Sequence, residues 1–139
     1  MIESAVVASG RMPDVSSLRT HLRVVSDAAE PLQRRITNLS NAVERFRPFG
    51  FTRTFELLYS ATGASPGKWT PEQLDVAARL IDDAHASWAA RVREEQQRAR
   101  EAKRQPGYRP LSRDQLVDAW WDEYASFPGN RALWNLTDE

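Results

Sequence analysis

The sequence predicts an all-α fold, a compact bundle of about four to five helices with one long, kinked, heptad-patterned helix and one protruding charged helix. Three observations carry that expectation. Between Asp14 and Arg47, ten apolar residues (Val15, Leu18, Leu22, Val25, Ala29, Leu32, Ile36, Leu39, Val43 and Phe46) recur with an unbroken alternation of three and four, the spacing of a buried helical seam. The Thr70 to Gln73 and Ser112 to Gln115 segments both read as capping boxes that open further helices. From Val92 to Arg104 the apolar pattern fades while strong helix formers continue, as in a helical extension standing partly clear of a core.

The chain can then be taken in order. Its 139 residues suit one domain with a sizeable core, 1–139, of which 1–13 reads as a loose N-terminal arm. Asp14 is a good N-cap for the first helix. Pro31 lies in mid-seam, where it removes one backbone bond and clashes with the preceding turn. The seam keeps its phase across Pro31, which favours one kinked helix; the alternative is a break, with Asp27 capping a second helix. Beside the seam, Arg19, Ser26, Gln33 and Ser40 on one side and His21, Ala28, Arg35 and Ala42 on the other widen the apolar stripe. Opposite charges expected of a two-stranded zipper are missing, so the seam packs within the molecule.

Arg47, Pro48, Phe49 and Gly50 stop that helix, and Thr52 opens a short one carrying Phe55, Leu57, Leu58 and Tyr59, closed by Gly63. The Gly63 to Lys68 stretch is one residue short of a phosphate-binding loop, with Trp69 where a metal-ligating hydroxyl belongs, so it reads as a turn. The helix that follows carries Leu74, Ala77, Ile81, Ala84, Trp88 and Val92 on one face, which should pack on the first helix, and Pro106 with Gly107 ends its charged extension. The last substantial helix holds Leu116, Val117, Trp120, Trp121, Tyr124 and Phe127, with Pro128 and Gly129 as its stop and Trp134 in a final turn plugging the bundle.

Composition narrows the function. No cysteine is present, so disulfides and thiolate metal sites are excluded. No apolar run approaches the ~20 residues of a membrane span and no secretory core segment is visible, so a soluble, cytoplasmic protein without membrane contact is expected. His21 and His85 are isolated, no nucleophile elbow or dinucleotide fingerprint occurs, and no catalytic residue, metal or cofactor is expected.

Charge distribution is more telling than the net charge of zero. Arg91 to Arg113 holds eight basic and three acidic residues, and Asp114 to Glu139 holds six acidic residues and one arginine. Arginine outnumbers lysine seventeen to two, an outcome of codon bias or of a need for bidentate pairing. The basic run of Arg91, Arg93, Arg98, Arg100, Lys103, Arg104 and Arg109 reads either as a solvated helix held by internal pairs such as Glu94 with Arg98, or as a surface that tracks phosphates. Asp114, Asp118 and Asp122 form a ridge at four-residue spacing. Like charges so placed repel by ~0.2–0.5 kcal/mol per pair, so an arginine of this chain or of a neighbour should offset them. With no histidine or matching carboxylate helix, metal or acid/base chemistry there is the weaker reading. The clustered aromatics read as core in preference to a base-stacking platform. The two poles together would let copies stack head to tail, basic arm against acidic ridge.

Such a chain, compact, helical, displaying arginines and complementary poles without catalytic residues, resembles the small subunits of CRISPR effector complexes. The segment Arg45, Phe46, Arg47, Pro48, Phe49, Gly50 and Phe51, followed by Leu57 and Leu58, is similar to one in which members of that family leave a helix through Pro-Phe-Gly and enter a Leu-Leu helix. The resemblance implies a non-catalytic subunit of a ribonucleoprotein, several copies of which line up along RNA or single-stranded DNA and contact its backbone beside larger subunits. The expected contacts are the basic run together with Arg34, Arg35, Arg45, Arg47 and Arg53. The competing expectation is a helical interaction module, such as a phage assembly, adaptor or regulatory protein, that binds no nucleic acid.

Overall fold

In the computed structural model, which describes residues 15–103 and 105–136, six helices follow one another: α1 (Val15–Val25), α2 (Leu32–Arg45), α3 (Phe51–Thr62), α4 (Pro71–Glu101), α5 (Arg113–Tyr124) and α6 (Pro128–Leu133). The all-α expectation holds, and among the described residues the only β pairing is an isolated bridge between Ser65 and Lys68. The expected N-terminal arm, the Asp14 cap and Arg104 lie outside the described residues.

The single kinked helix does not form. Ser26 to Pro31 separates α1 from α2, because Pro31 has no N–H to continue the ladder and Asp27 offers the backbone an alternative. The Asp27 carboxylate accepts from the Ala29 amide at 2.9 Å and the Asp27 carbonyl accepts from Glu30 at 3.0 Å. Pro31 itself, extended at φ −60° and ψ 145°, is the N-cap of α2. The chain doubles back, so His21 meets Asn38 at 2.8 Å and Arg35 meets Val25 at 2.8 Å, the cross-links of an antiparallel helical hairpin. Leu18, Leu22, Val25, Leu39, Val43 and Phe46 are buried as the periodicity requires, while Ala29 and Leu32 lie at the exposed bend.

The organising element is therefore α4, which packs against α1, α2, α3 and α5. Its start follows the sequence closely: the Thr70 hydroxyl accepts from the Gln73 amide at 3.2 Å, the Gln73 side chain accepts from the Thr70 amide at 3.0 Å, and Pro71 occupies the first turn. Leu74, Ala77, Leu80, Ile81 and Ala84 are buried along one face. Thirty-one residues make a rod of about 46 Å. Trp69, just ahead of it, is a core residue against Tyr59.

Two ends depart from expectation. The N-cap of α3 is Gly50, at φ +89°, in place of Thr52, because a left-handed turn is needed straight after Pro48 and Phe49. Pro128 opens α6 where it was expected to close α5, its fixed φ suiting a first helical turn. Trp134 is buried as a plug, and Asn135 donates to the Ser60 carbonyl at 3.2 Å, tying the C-terminal turn to α3.

Among the described residues one buried side-chain polar atom is uncompensated: the Thr54 hydroxyl, in α3, has no hydrogen-bond partner there. Thr54→Val keeps the shape and removes the desolvated oxygen, so urea unfolding should show the variant more stable by about 1 kcal/mol. A loss of stability would mean that the hydroxyl is satisfied in solution.

Candidate nucleic-acid interface

The arginines expected to bind nucleic acid fall into three groups. Arg35 is a correction: it is 3 % exposed, its Nε donating to the Val25 carbonyl and its NH2 to Asp75 at 3.0 Å. A guanidinium held inside a helix junction cannot reach a phosphate without unfolding that junction. A second group is internally paired, as the solvated-helix reading anticipated for Arg98 with Glu94. Arg34 pairs with Glu30 at 2.9 Å, Arg53 with Glu56 at 3.4 Å, Arg47 more loosely with Glu44 at 3.9 Å, and Arg98 with Glu94 at 3.0 Å. Arg91 is largely buried against Glu95 at 3.3 Å.

The third group is available. Arg45, Arg93, Lys103 and Arg109 are exposed and their side chains form no ion pair or hydrogen bond among the described residues, and the Arg100 side chain holds only the neutral Gln97. Arg93 and Arg100 are seven residues apart, hence on one face of α4 about 10 Å apart. The surrounding carboxylates are occupied, Glu94 and Glu95 by Arg91 and Arg98, and Glu101 by Gln97.

The charged end of α4 stands less clear of the core than its composition implies. A turn through Gly107 returns the chain along the helix, and the buried Glu95 carboxylate accepts from the Tyr108 hydroxyl at 3.3 Å and the Leu111 amide at 3.4 Å. Burial pushes the Glu95 carboxyl up. The Leu111 amide, Arg91 and Tyr108 outweigh that and hold it below its ordinary value of 4.5. A depressed carboxylate stabilises the folded state above that ordinary value and ceases to do so as pH falls through the lowered folded value. Acid titration monitored by NMR should therefore release the Tyr108 segment only as pH falls below the ordinary carboxyl value and through the lowered folded one, while Glu95→Gln should loosen it at neutral pH without further change on acidification. An unchanged acid response in Glu95→Gln would refute the assignment.

The ridge of Asp114, Asp118 and Asp122 is fully displayed on α5, and none of the three has an ion pair among the described residues. The arginine expected to offset them is therefore not supplied by the described part of this chain. No group of three or more potential metal ligands occurs among the described residues. Nor is any described helix long and apolar enough to cross a membrane.

The clustered aromatic residues sort as core with one correction, Phe127, which the chain leaves exposed because it precedes α6 and follows the end of α5. Trp120, Tyr124 and Trp134 are buried, Trp121 is half-buried, and Phe127, beyond the end of α5, is 56 % exposed. Burial, with the Asp83 carboxylate that the Tyr124 hydroxyl donates to at 2.7 Å, pushes that phenol far above its ordinary range, so it stays protonated.

Sequence reading missed one constellation. Arg19 and Arg23 on α1 and Arg79 on α4 line a groove of about 380 Å³ with Leu22, Ser26, Ala78 and Asp82. Only the four-residue spacing of Arg19 and Arg23 hinted at it, because the pairing of α1 with α4 is a tertiary fact. No known protein family, curated protein or solved structure matches this chain.

Proposed function

We propose that this protein is a non-catalytic structural subunit of a larger ribonucleoprotein, holding the backbone of RNA or single-stranded DNA through arginines and meeting other subunits, including copies of itself, through its acidic ridge. One observation carries the reading. Arg93 and Arg100 share a face of the long helix α4, and among the described residues no carboxylate pairs with either, Glu94 and Glu95 being engaged by Arg91 and Arg98. Guanidiniums so displayed suit charge-assisted bonds to phosphate oxygens. The resemblance to small subunits of CRISPR effector complexes agrees with this arrangement. A helical protein-interaction module is the second reading, favoured by the unpaired ridge of Asp114, Asp118 and Asp122.

Filter binding of a single-stranded RNA across a salt series tests the first reading. Two lost phosphate contacts should flatten the log-log salt dependence by about 1.4, so Arg93→Glu with Arg100→Glu should weaken binding by at least roughly tenfold at low salt. Absent or salt-insensitive binding rejects it. In the same samples Asp118→Lys should abolish concentration-dependent self-association in sedimentation if the ridge is a subunit contact. Self-association without RNA binding would favour the second reading.

A further inference from the structure

We infer that the groove between α1 and α4 is a binding site for a terminal phosphate group, gripped by Arg19, Arg23 and Arg79. This goes beyond the backbone contacts proposed for Arg93 and Arg100 and does not depend on them.

The pairing pattern of the molecule singles these arginines out. Elsewhere among the described residues an arginine three or four places from a carboxylate pairs with it, as Arg34 does with Glu30 and Arg98 with Glu94. Arg79 has three carboxylates at that spacing, Asp75, Asp82 and Asp83, and among the described residues pairs with none. Asp75 is taken by Arg35, Asp83 accepts from Tyr124, and Asp82 stays apart although it lines the same groove. Arg23 stands four residues before Asp27, whose carboxylate instead accepts from the Ala29 amide. Arg19 has no acidic residue within a helical turn on α1.

Charge and shape then indicate the ligand. Against three guanidiniums the groove sets a single carboxylate, leaving two uncompensated positive charges. A phosphomonoester carries close to two negative charges at neutral pH and three acceptor oxygens, whereas an internal phosphodiester carries one. Planar guanidinium forks bond phosphate oxygens bidentately, and three donors approaching from two helices can surround a terminal group. The volume falls in the ~300–1,000 Å³ range of small-ligand sites. Leu22 and Ala78 give it an apolar floor, and Ser26 a hydroxyl. The shared chemistry is a phosphomonoester, carried either by a free small molecule or by the end of a strand.

The test uses the full chain with nitrogen-15-labelled arginine side chains. Inorganic phosphate and adenosine monophosphate are titrated first, then matched single-stranded oligonucleotides ending in a 5′-phosphate or a 5′-hydroxyl. The Nε–Hε signals of Arg19, Arg23 and Arg79 should shift with phosphate, and Arg23→Gln with Arg79→Gln, at exposed positions where the melting temperature should hold, should abolish the shift. A tenfold or greater preference for the 5′-phosphorylated strand assigns the site to strand ends. A response to adenosine monophosphate without that preference assigns it to a free phosphorylated ligand. Silence of these signals towards every phosphate probe overturns the inference, even if the protein binds RNA through Arg93 and Arg100. So does a shift that follows protein concentration alone, since the groove would then receive the acidic ridge of a second copy.

Discussion

Arg35→Ala should lower the stability of the protein by about 2–4 kcal/mol, a fall in melting temperature of roughly 10 °C for a chain of this size. The side chain is 4 % exposed, and its two hydrogen bonds join three helices. Nε satisfies the carbonyl of Val25, the last residue of α1, where a helix end leaves acceptors unpaired and favours a cation. NH2 reaches Asp75 in the first turns of α4 while the backbone belongs to α2. Truncation would strand the Val25 carbonyl in the interior and open a cavity. Asp75→Asn should cost below about 1 kcal/mol, because that carboxylate is 47 % exposed and water can replace its partner. Urea unfolding of both variants decides the matter. If the two lose equal stability, the ion pair and not the helix-end bond is what matters; if Arg35→Ala loses under about 0.5 kcal/mol, the residue is no junction at all.

That single residue shows where sequence reading stopped. Arg35 lies seven residues before Ala42 on the flank that widens the apolar stripe, and Ala42 is fully buried. The position was legible as near the core. Its partner was not, because Val25 comes within reach only after the chain reverses at Ser26 to Pro31. Periodicity cannot report such a reversal, since the spacing of three and four runs through the bend without a fault. What is local in cause was readable: the Thr70 and Ser112 capping boxes, the Gly63 C-cap, and the buried faces of α2 and α4. The candidate surfaces were readable only in part. Helical spacing gives which arginines can find a carboxylate on their own helix, as with Arg98 and Glu94. It is silent on Glu95, whose partners Tyr108 and Leu111 arrive from another segment, and on the meeting of Arg19 and Arg23 with Arg79.

The largest loss is expected from Trp120→Ala, about 3–5 kcal/mol, a substantial part of the 5–15 kcal/mol that ordinarily separates folded from unfolded chains. Trp120 is 2 % exposed and touches rings from three parts of the chain. Trp88 of α4 meets it edge-on at 5.5 Å, Phe46 and Phe49 approach from the α2–α3 connection at 6.3 Å each, and Tyr124 stacks one helical turn away at 5.4 Å. Its indole N–H donates to the Ser87 hydroxyl at 2.9 Å. Trp120→Phe retains most of the ring contact and loses that bond, so it should cost less than half as much. The two variants therefore separate packing from hydrogen bonding, read by guanidinium unfolding together with the near-ultraviolet circular dichroism of the aromatic cluster. A loss under about 1 kcal/mol with the dichroism intact would show that α5 docks by some other means. The same substitution links stability to assembly. The acidic ridge rides on α5, whereas Arg19, Arg23, Arg79, Arg93 and Arg100 ride on α1 and α4. At a temperature where Trp120→Ala loosens α5 without unfolding the hairpin and α4, the self-association proposed for the ridge should fail while the RNA binding proposed for Arg93 and Arg100 persists. Simultaneous loss of both would mean that the two surfaces act only as one folded unit.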